Sequence, residues 1–359
     1  DRVSDPFNMA INSVRGKAFQ AFVFFVYQDE QISEEDNVKI ASDVKKLYEE
    51  ILKKENTRAL MFLFGHYLPS FYFRDRKWVL QLLPYIFPQE SGKQHLYLAS
   101  WEGYLTNNLY EEIFFEPAFQ ELYKRGFNLT GNEDSTREFF RDPNEGIATH
   151  LALAFVVYHK KFDFDHPLFQ ELWEKNIEQQ SKFISNVGRI FISGKNVQTK
   201  ELLEKDLGCK ERLKKFWEWI LNNYDEPKLF AEFGFWINLE KKLFEPRWLA
   251  KQLKETLEKS QGILNWDYGV AKAIIEMAKV APKETLEITR LYLLKGCVRN
   301  GKIRMPFKYD DDWFEAIKIL CGNSETKDDT YALINDLIRE GGSVFWRLKD
   351  LLINSKVSW

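Results

Sequence analysis

Apolar positions recur at spacings of three and four along almost the whole chain. Asp5 and Pro6, a capping carboxylate and a proline suited to a first helical turn, precede Ile11, Val14, Ala18, Phe22 and Phe25. This pattern predicts one long helix over 5–27. Val38, Ile40, Val44, Leu47 and Ile51 predict a second from Ser33, and Leu60, Phe62, Leu63 and Phe64 a third. The third is expected to end near Pro69, because proline disfavours helix at the residue before it. Trp78, Leu82, Leu83 and Ile86 place a helix over 74–87, with Pro84 a kink or early stop. Leu96, Leu98, Trp101 and Leu105 place another over 94–105, followed by one or two short helices around Pro117.

The stretch 126–146 carries loop chemistry, with Gly131, Asn132, Asp134 and Asp142-Pro143-Asn144. The segment 147–160 is apolar around most of its circumference and reads as a helix covered on several sides. Further helices are expected at 167–178, 179–192, 209–223, 227–243, 246–261, 267–279, 283–295, 312–321, 325–339 and 343–353. Only 188–194 has a β-like look. Helix pairs recur about every 40 residues, the period of HEAT and armadillo arrays. The Val14-Arg15 pair, followed by a small residue and a hydrophobic run, also reads as a HEAT-type helix. The expected fold is all-α, a HEAT/armadillo-like α-solenoid of stacked antiparallel helix pairs over 1–359, with a division into lobes 1–195 and 209–359 left open. The period lies in helix lengths and not in a repeated motif, so a compact all-helical domain also fits.

Composition agrees with this pattern. Thirty Phe and 11 Trp among 359 residues suit thick helix–helix interfaces. A net charge of −3 with mixed signs gives no overall pull toward nucleic acid or an anionic membrane. Three scattered cysteines, Cys209, Cys297 and Cys321, form neither a disulfide framework nor a zinc spacing, which points to a reducing, cytoplasmic setting. No apolar run reaches the roughly 18 residues of a membrane span. The chain lacks a starting methionine and reads as the C-terminal part of a longer protein.

Candidate chemistry is sparse. Gly188 to Asn196 resembles a phosphate loop but has five residues between its glycines instead of four, and Asn196 where a hydroxyl should meet magnesium. His159 and His166 bracket Asp163 and Asp165 at a spacing that fixes no metal geometry, and His166-Pro167 is a plain helix start. His66, His95 and His150 read as partly buried packing residues. Asp310-Asp311-Asp312 reads as helix capping before Trp313. No nucleophile elbow, paired-histidine metalloprotease motif or Cys–His arrangement is present. The aromatic groups Phe71-Tyr72-Phe73 and Trp217, Trp219 and Trp236 fall at helical spacing and read as core. One local charge stands out. Lys295, Arg299, Lys302, Arg304 and Lys308 follow one another without an intervening acid, in a segment that Gly296, Gly301 and Pro306 mark as a loop. Such a loop is either a docking site for an acidic partner or a solvated connection.

Several phrases resemble the C-terminal helical region of large bacterial antiviral defence proteins, STAND-class NTPases and related sirtuin-bearing proteins. They are Asn8-Met9-Ala10-Ile11-Asn12-Ser13-Val14-Arg15-Gly16-Lys17-Ala18, Ala99-Ser100-Trp101-Glu102-Gly103-Tyr104-Leu105, Phe235-Trp236 with Trp248 and Pro282, and Ala332 to Gly342 before Phe345 and Leu348. The resemblance implies a sensor region that recognises a phage component and controls an effector elsewhere in the longer chain. It implies a protein partner, no cofactor or catalytic residue in this part, and oligomerisation through domains outside it. A general interaction scaffold is the alternative, followed by a nucleic-acid-binding repeat, which a sequence pI near 6.1 disfavours, and by an all-helical enzyme.

Overall fold

The computed structural model describes residues 5–28, 40–129, 140–174, 177–194, 207–238, 243–299, 302–303 and 310–353. The chain divides into two compact units, 1–179 and 180–359. The architecture is all-helical. The regular exception among the described residues is a two-residue hairpin, β1 (Val298–Arg299) antiparallel to β2 (Lys302–Ile303).

The first unit holds α1 (Pro6–Asn12), α2 (Val14–Gln28), α3 (Ser42–Lys54), α4 (Arg58–Arg74), α5 (Arg76–Ile86), α6 (Gln94–Leu105), α7 (Glu111–Phe114), α8 (Pro117–Leu129), α9 (Pro143–Val157) and α10 (Pro167–Glu174). Asp5 caps α1 as expected, its carboxylate accepting the Asn8 N–H at 2.8 Å. The long first helix, however, is broken at Ser13. That residue is extended, and its hydroxyl oxygen accepts the Gly16 N–H at 3.0 Å, so it caps a second helix. The break resets the register. The buried face of α2 is Gly16, Phe19, Val23 and Val26, whereas Val14 and Phe25 of the expected stripe are 85% and 58% exposed.

Helix α4 runs through Pro69 to Arg74 instead of stopping before the proline. A proline interior to a helix forfeits one backbone hydrogen bond. Here twelve buried residues of the same helix, Phe62, Leu63, Phe64 and Phe71 among them, hold it against α1, α2, α5 and α6 and outweigh that loss. Helix α6 occupies the span read from the sequence, and every residue from Leu96 to Leu105 is buried. It packs on α4 and α9.

The second unit takes in most of α11 (Ile177–Asn186), which runs into a π-helical turn at Val187–Ile192. It continues with α12 (Leu207–Asn223), α13 (Pro227–Ala231) extended by a 3₁₀ turn at Glu232–Trp236, α14 (Pro246–Lys259), α15 (Tyr268–Val280), α16 (Pro282–Leu291) ending in a π turn at Tyr292–Gly296, α17 (Asp310–Gly322), α18 (Lys327–Gly341), a 3₁₀ stretch at Gly342–Leu348 and α19 (Lys349–Ile353). The β-like segment at 188–194 is therefore helical as far as Ile192. Its Gly188 is buried where a side chain would strike Phe235 and Trp236. Within this unit α14 packs on α15 and α16, and α15 packs on α16 and α17. These two helices thus each meet the next helix and the next but one. Trp217 and Trp236 are fully buried, as read from their spacing, whereas Trp219, read as core with them, is half-buried; Trp313 is also fully buried.

Candidate binding groove on the first unit

The last turns of α4 and the connection from α6 to α7 build two adjoining depressions that share Phe73. Helical phase explains the exposure of Phe73. Phe71 and Tyr72 turn into the core, and the next residue is left 49% exposed. Tyr110, 37% exposed, meets it edge-to-face at 5.2 Å.

The first depression, about 380 Å³, is lined by rings of Tyr27, Tyr67, Phe73 and Tyr110 together with His66, Arg74 and Asn107. Arg74 lies over the Tyr27 ring at 4.5 Å and donates to the Ser70 carbonyl and hydroxyl at 3.0 and 2.8 Å. Thr106 donates its hydroxyl proton to the Gly103 carbonyl at 2.6 Å, so its oxygen accepts from His66 Nδ1 at 2.8 Å. His66 is then the Nδ1–H tautomer with a bare Nε2. Burial lowers its pKa and keeps the ring neutral at pH 7. Asn107 Nδ2 donates to the carbonyls of His66 and Tyr104 at 2.9 and 3.1 Å. Neither His66 Nε2 nor Asn107 Oδ1 has a hydrogen-bond partner among the described residues.

Asn107 is itself fixed from behind. Its carbonyl accepts from buried His150 Nε2 at 3.0 Å, and His150 Nδ1 accepts from the Tyr123 hydroxyl at 2.6 Å. Burial pushes the His150 pKa down to about 4, so this imidazole is a neutral structural link, the packing role expected for it.

The second depression, about 630 Å³, is charged and open. Arg76 pairs with Glu116, which also accepts from the Tyr72 hydroxyl at 3.2 Å. Lys161 pairs with Glu111 at 2.7 Å and covers the Phe115 ring. Exposed Glu112 lines the same wall. Three carboxylates therefore face two paired cations.

The sequence signals single out other residues. Lys295 is exposed on the π turn after α16, and Arg299 and Lys302 are register partners across the hairpin, so this part of the expected loop is ordered backbone. Arg304 and Lys308 lie outside the described residues, as do Lys195 and Asn196 of the imperfect glycine motif. His166 caps α10, Nδ1 accepting the Leu168 N–H at 3.2 Å, and packs on Phe162. His95 is exposed, unlike the partly buried residue expected there. Asp311 pairs with Arg347 at 2.8 Å. Cys209, Cys297 and Cys321 are buried free thiols. Among the described residues no group of His, Cys, Asp and Glu is arranged to hold a metal, and no helix is long and apolar enough to cross a membrane.

Sequence reasoning missed the groove because its parts are single rings on three separated segments. The one local hint is Tyr110, a large ring following the polar Asn107-Asn108 link, where a turn needs no aromatic residue. The second unit carries a smaller aromatic surface that was equally unread. There Trp266 stacks on Phe235 at 5.3 Å beside exposed Ile263 and Tyr268. No protein-family model, curated protein or solved structure matches the chain.

Proposed function

We propose that this chain is a protein-recognition region built as a helical repeat, and that it serves as the sensor part of a bacterial antiphage defence protein. The carrying observation is the open groove around Phe73. Its exposed rings and mixed charge suit a protein surface, where Glu112 is the carboxylate left over beside the paired Arg76–Glu116 and Lys161–Glu111. The repeat architecture draws support from the spacing of tertiary hydrogen bonds. Arg15–Glu55, His66–Thr106 and Arg76–Glu116 each join residues 40 apart, Ser193–Phe235 residues 42 apart and Trp217–Thr256 residues 39 apart. Stacked repeats of that length bring equivalent positions together in this way.

The defence role rests on the resemblance of the quoted phrases. The basic segment of Lys295, Arg299, Lys302, Arg304 and Lys308 is a second contact surface in this reading. Surface cations in general tune encounter rate and salt sensitivity more than affinity. The test is phage challenge of bacteria carrying the natural gene. Phe73→Ser with Tyr110→Ser should abolish protection while the protein accumulates normally and keeps its helical circular dichroism. Undiminished protection against every phage that the unaltered gene blocks would refute the reading.

A further inference from the structure

The smaller depression combines aromatic walls with two hydrogen-bond acceptors. Its walls are ring faces and edges from Tyr27, Tyr67, Phe73 and Tyr110. Two lining residues, His66 and Asn107, each carry an acceptor that the described residues leave unused. Both are set rigidly. Thr106 fixes the His66 tautomer, and His150 fixes the Asn107 backbone. An occupant that covers these acceptors without donating to them leaves each stripped of water, at the penalty of a buried unsatisfied group. A donor-bearing ring avoids that penalty. The volume of about 380 Å³ is ample for one aromatic side chain.

We propose that this pocket is the anchor site for a tryptophan or tyrosine side chain of a protein partner, its N–H or O–H donated to His66 Nε2 or Asn107 Oδ1. The proposal rests on the protein-recognition reading above. Charge selects a protein as the source of the ring. A nucleobase would satisfy the walls and acceptors too, but across the shared Phe73, Arg76 and Lys161 are already paired with Glu116 and Glu111, so its phosphates would meet the surplus carboxylate of exposed Glu112. A peptide flanking its aromatic residue with lysine or arginine would instead be drawn to Glu112.

The test needs no identified partner. The chain has five histidines, so histidine labelled with ¹³C at Cε1 gives five ring signals, with His66 assigned from its His66→Gln variant. N-acetyl-tryptophanamide titrated into the intact protein should move the His66 signal in a saturable way. The naphthylalanine analogue, equal in shape but lacking the N–H, should bind about tenfold more weakly, the scale of one hydrogen bond to a buried acceptor. N-acetyl-tyrosinamide should exceed the phenylalanine analogue in the same sense. Tyr110→Ala and Phe73→Ala, both at the exposed rim, should remove saturation and keep the five-signal spectrum. An unmoved His66 signal, equal binding of the indole and naphthalene probes, or tighter binding of adenosine monophosphate would overturn the proposal. Loss of phage protection in the rim variants without indole selectivity would sink the anchor and leave recognition standing. Selectivity with intact protection would do the reverse.

Discussion

Gly65 of α4 and Gly103 of α6 face each other's helix backbone. A β-carbon on Gly65 would strike the Ser100 carbonyl, and one on Gly103 would strike the Phe62 carbonyl. The two helices therefore touch main chain to main chain. This crossing sets His66, one residue past Gly65, against Thr106 and Asn107, just past the end of α6. Gly65→Ala or Gly103→Ala should destabilise the protein by about 1–3 kcal/mol, because neither backbone can yield as a flexible side chain would. The measurement is the urea midpoint at constant slope. A shift under 0.2 M for both variants would count against the crossing.

Elements with dense three-and-four spacing were legible in the sequence, and α6 was placed to the residue. The Asp5-Pro6 cap was equally plain, because capping is a local event. What escaped depended on contacts between segments distant in sequence. Nothing near Pro69 announces that burial of Phe62, Leu63 and Phe64 carries α4 past it. Ser13 is a poor helix breaker by propensity, and only its hydroxyl bond to Gly16 turns it into a cap. The pocket is harder still, since its lining comes from Tyr27, from 66–74 and from 107–110, joined only by folding.

His150 predicts an acid-sensitive fold. Burial pushes its pKa down to about 4 in the folded state, against 6.5 for a free imidazole, so between those values the unfolded chain binds the proton and the native one does not. Stability is full above pH 6.5, falls as pH drops toward 4 and then levels. The loss reaches about 3 kcal/mol from this group alone. Burial lowers His66 and His166 as well, which adds in the same direction. Urea unfolding at pH 7.5 and pH 5 should show the drop. Tyr123→Phe removes the donor to Nδ1 and should cost about 1–3 kcal/mol at neutral pH.

Lys259, the last residue of α14, closes the end of α12. Its ammonium donates to the carbonyls of Leu221 and Tyr224, both at 2.6 Å, and to the Asp225 carboxylate at 2.7 Å. Carbonyls at a helix C-terminus lack intrahelical donors, and a cation there also meets the favourable end of the dipole. Lys259→Met keeps most of the stem and removes these bonds, so it should cost about 1–2 kcal/mol. Asp225 is 93% exposed on its side chain, and Asp225→Asn should change stability by less than about 0.5 kcal/mol. Equal effects of the two changes would show that the ion pair, and not the carbonyl cap, carries the contact.

The turn after α14 makes opposite predictions for adjacent residues. Gly262 N–H bonds to the Leu257 carbonyl at 2.7 Å and Gln261 N–H to the Glu258 carbonyl at 3.4 Å, the two bonds of a Schellman motif. Both residues have positive φ, 58° at Gln261 and 85° at Gly262. Gln261 is exposed and holds a left-handed conformation that costs a residue with a β-carbon roughly 1–2 kcal/mol. Gln261→Gly relieves this, and after the added freedom of the unfolded chain it should still raise stability by about 0.5–1 kcal/mol. Gly262 is buried, and a β-carbon there would press on the Leu291 carbonyl and on the Gly296 nitrogen at 2.8 Å. Gly262→Ala should therefore destabilise by at least about 1–3 kcal/mol, through strain and crowding together. Gly296 leads directly into the hairpin that carries Arg299 and Lys302. Hydrogen exchange should consequently quicken at 292–299 in Gly262→Ala and stay unchanged there in Gln261→Gly. Equal exchange in both would detach the basic hairpin from the turn.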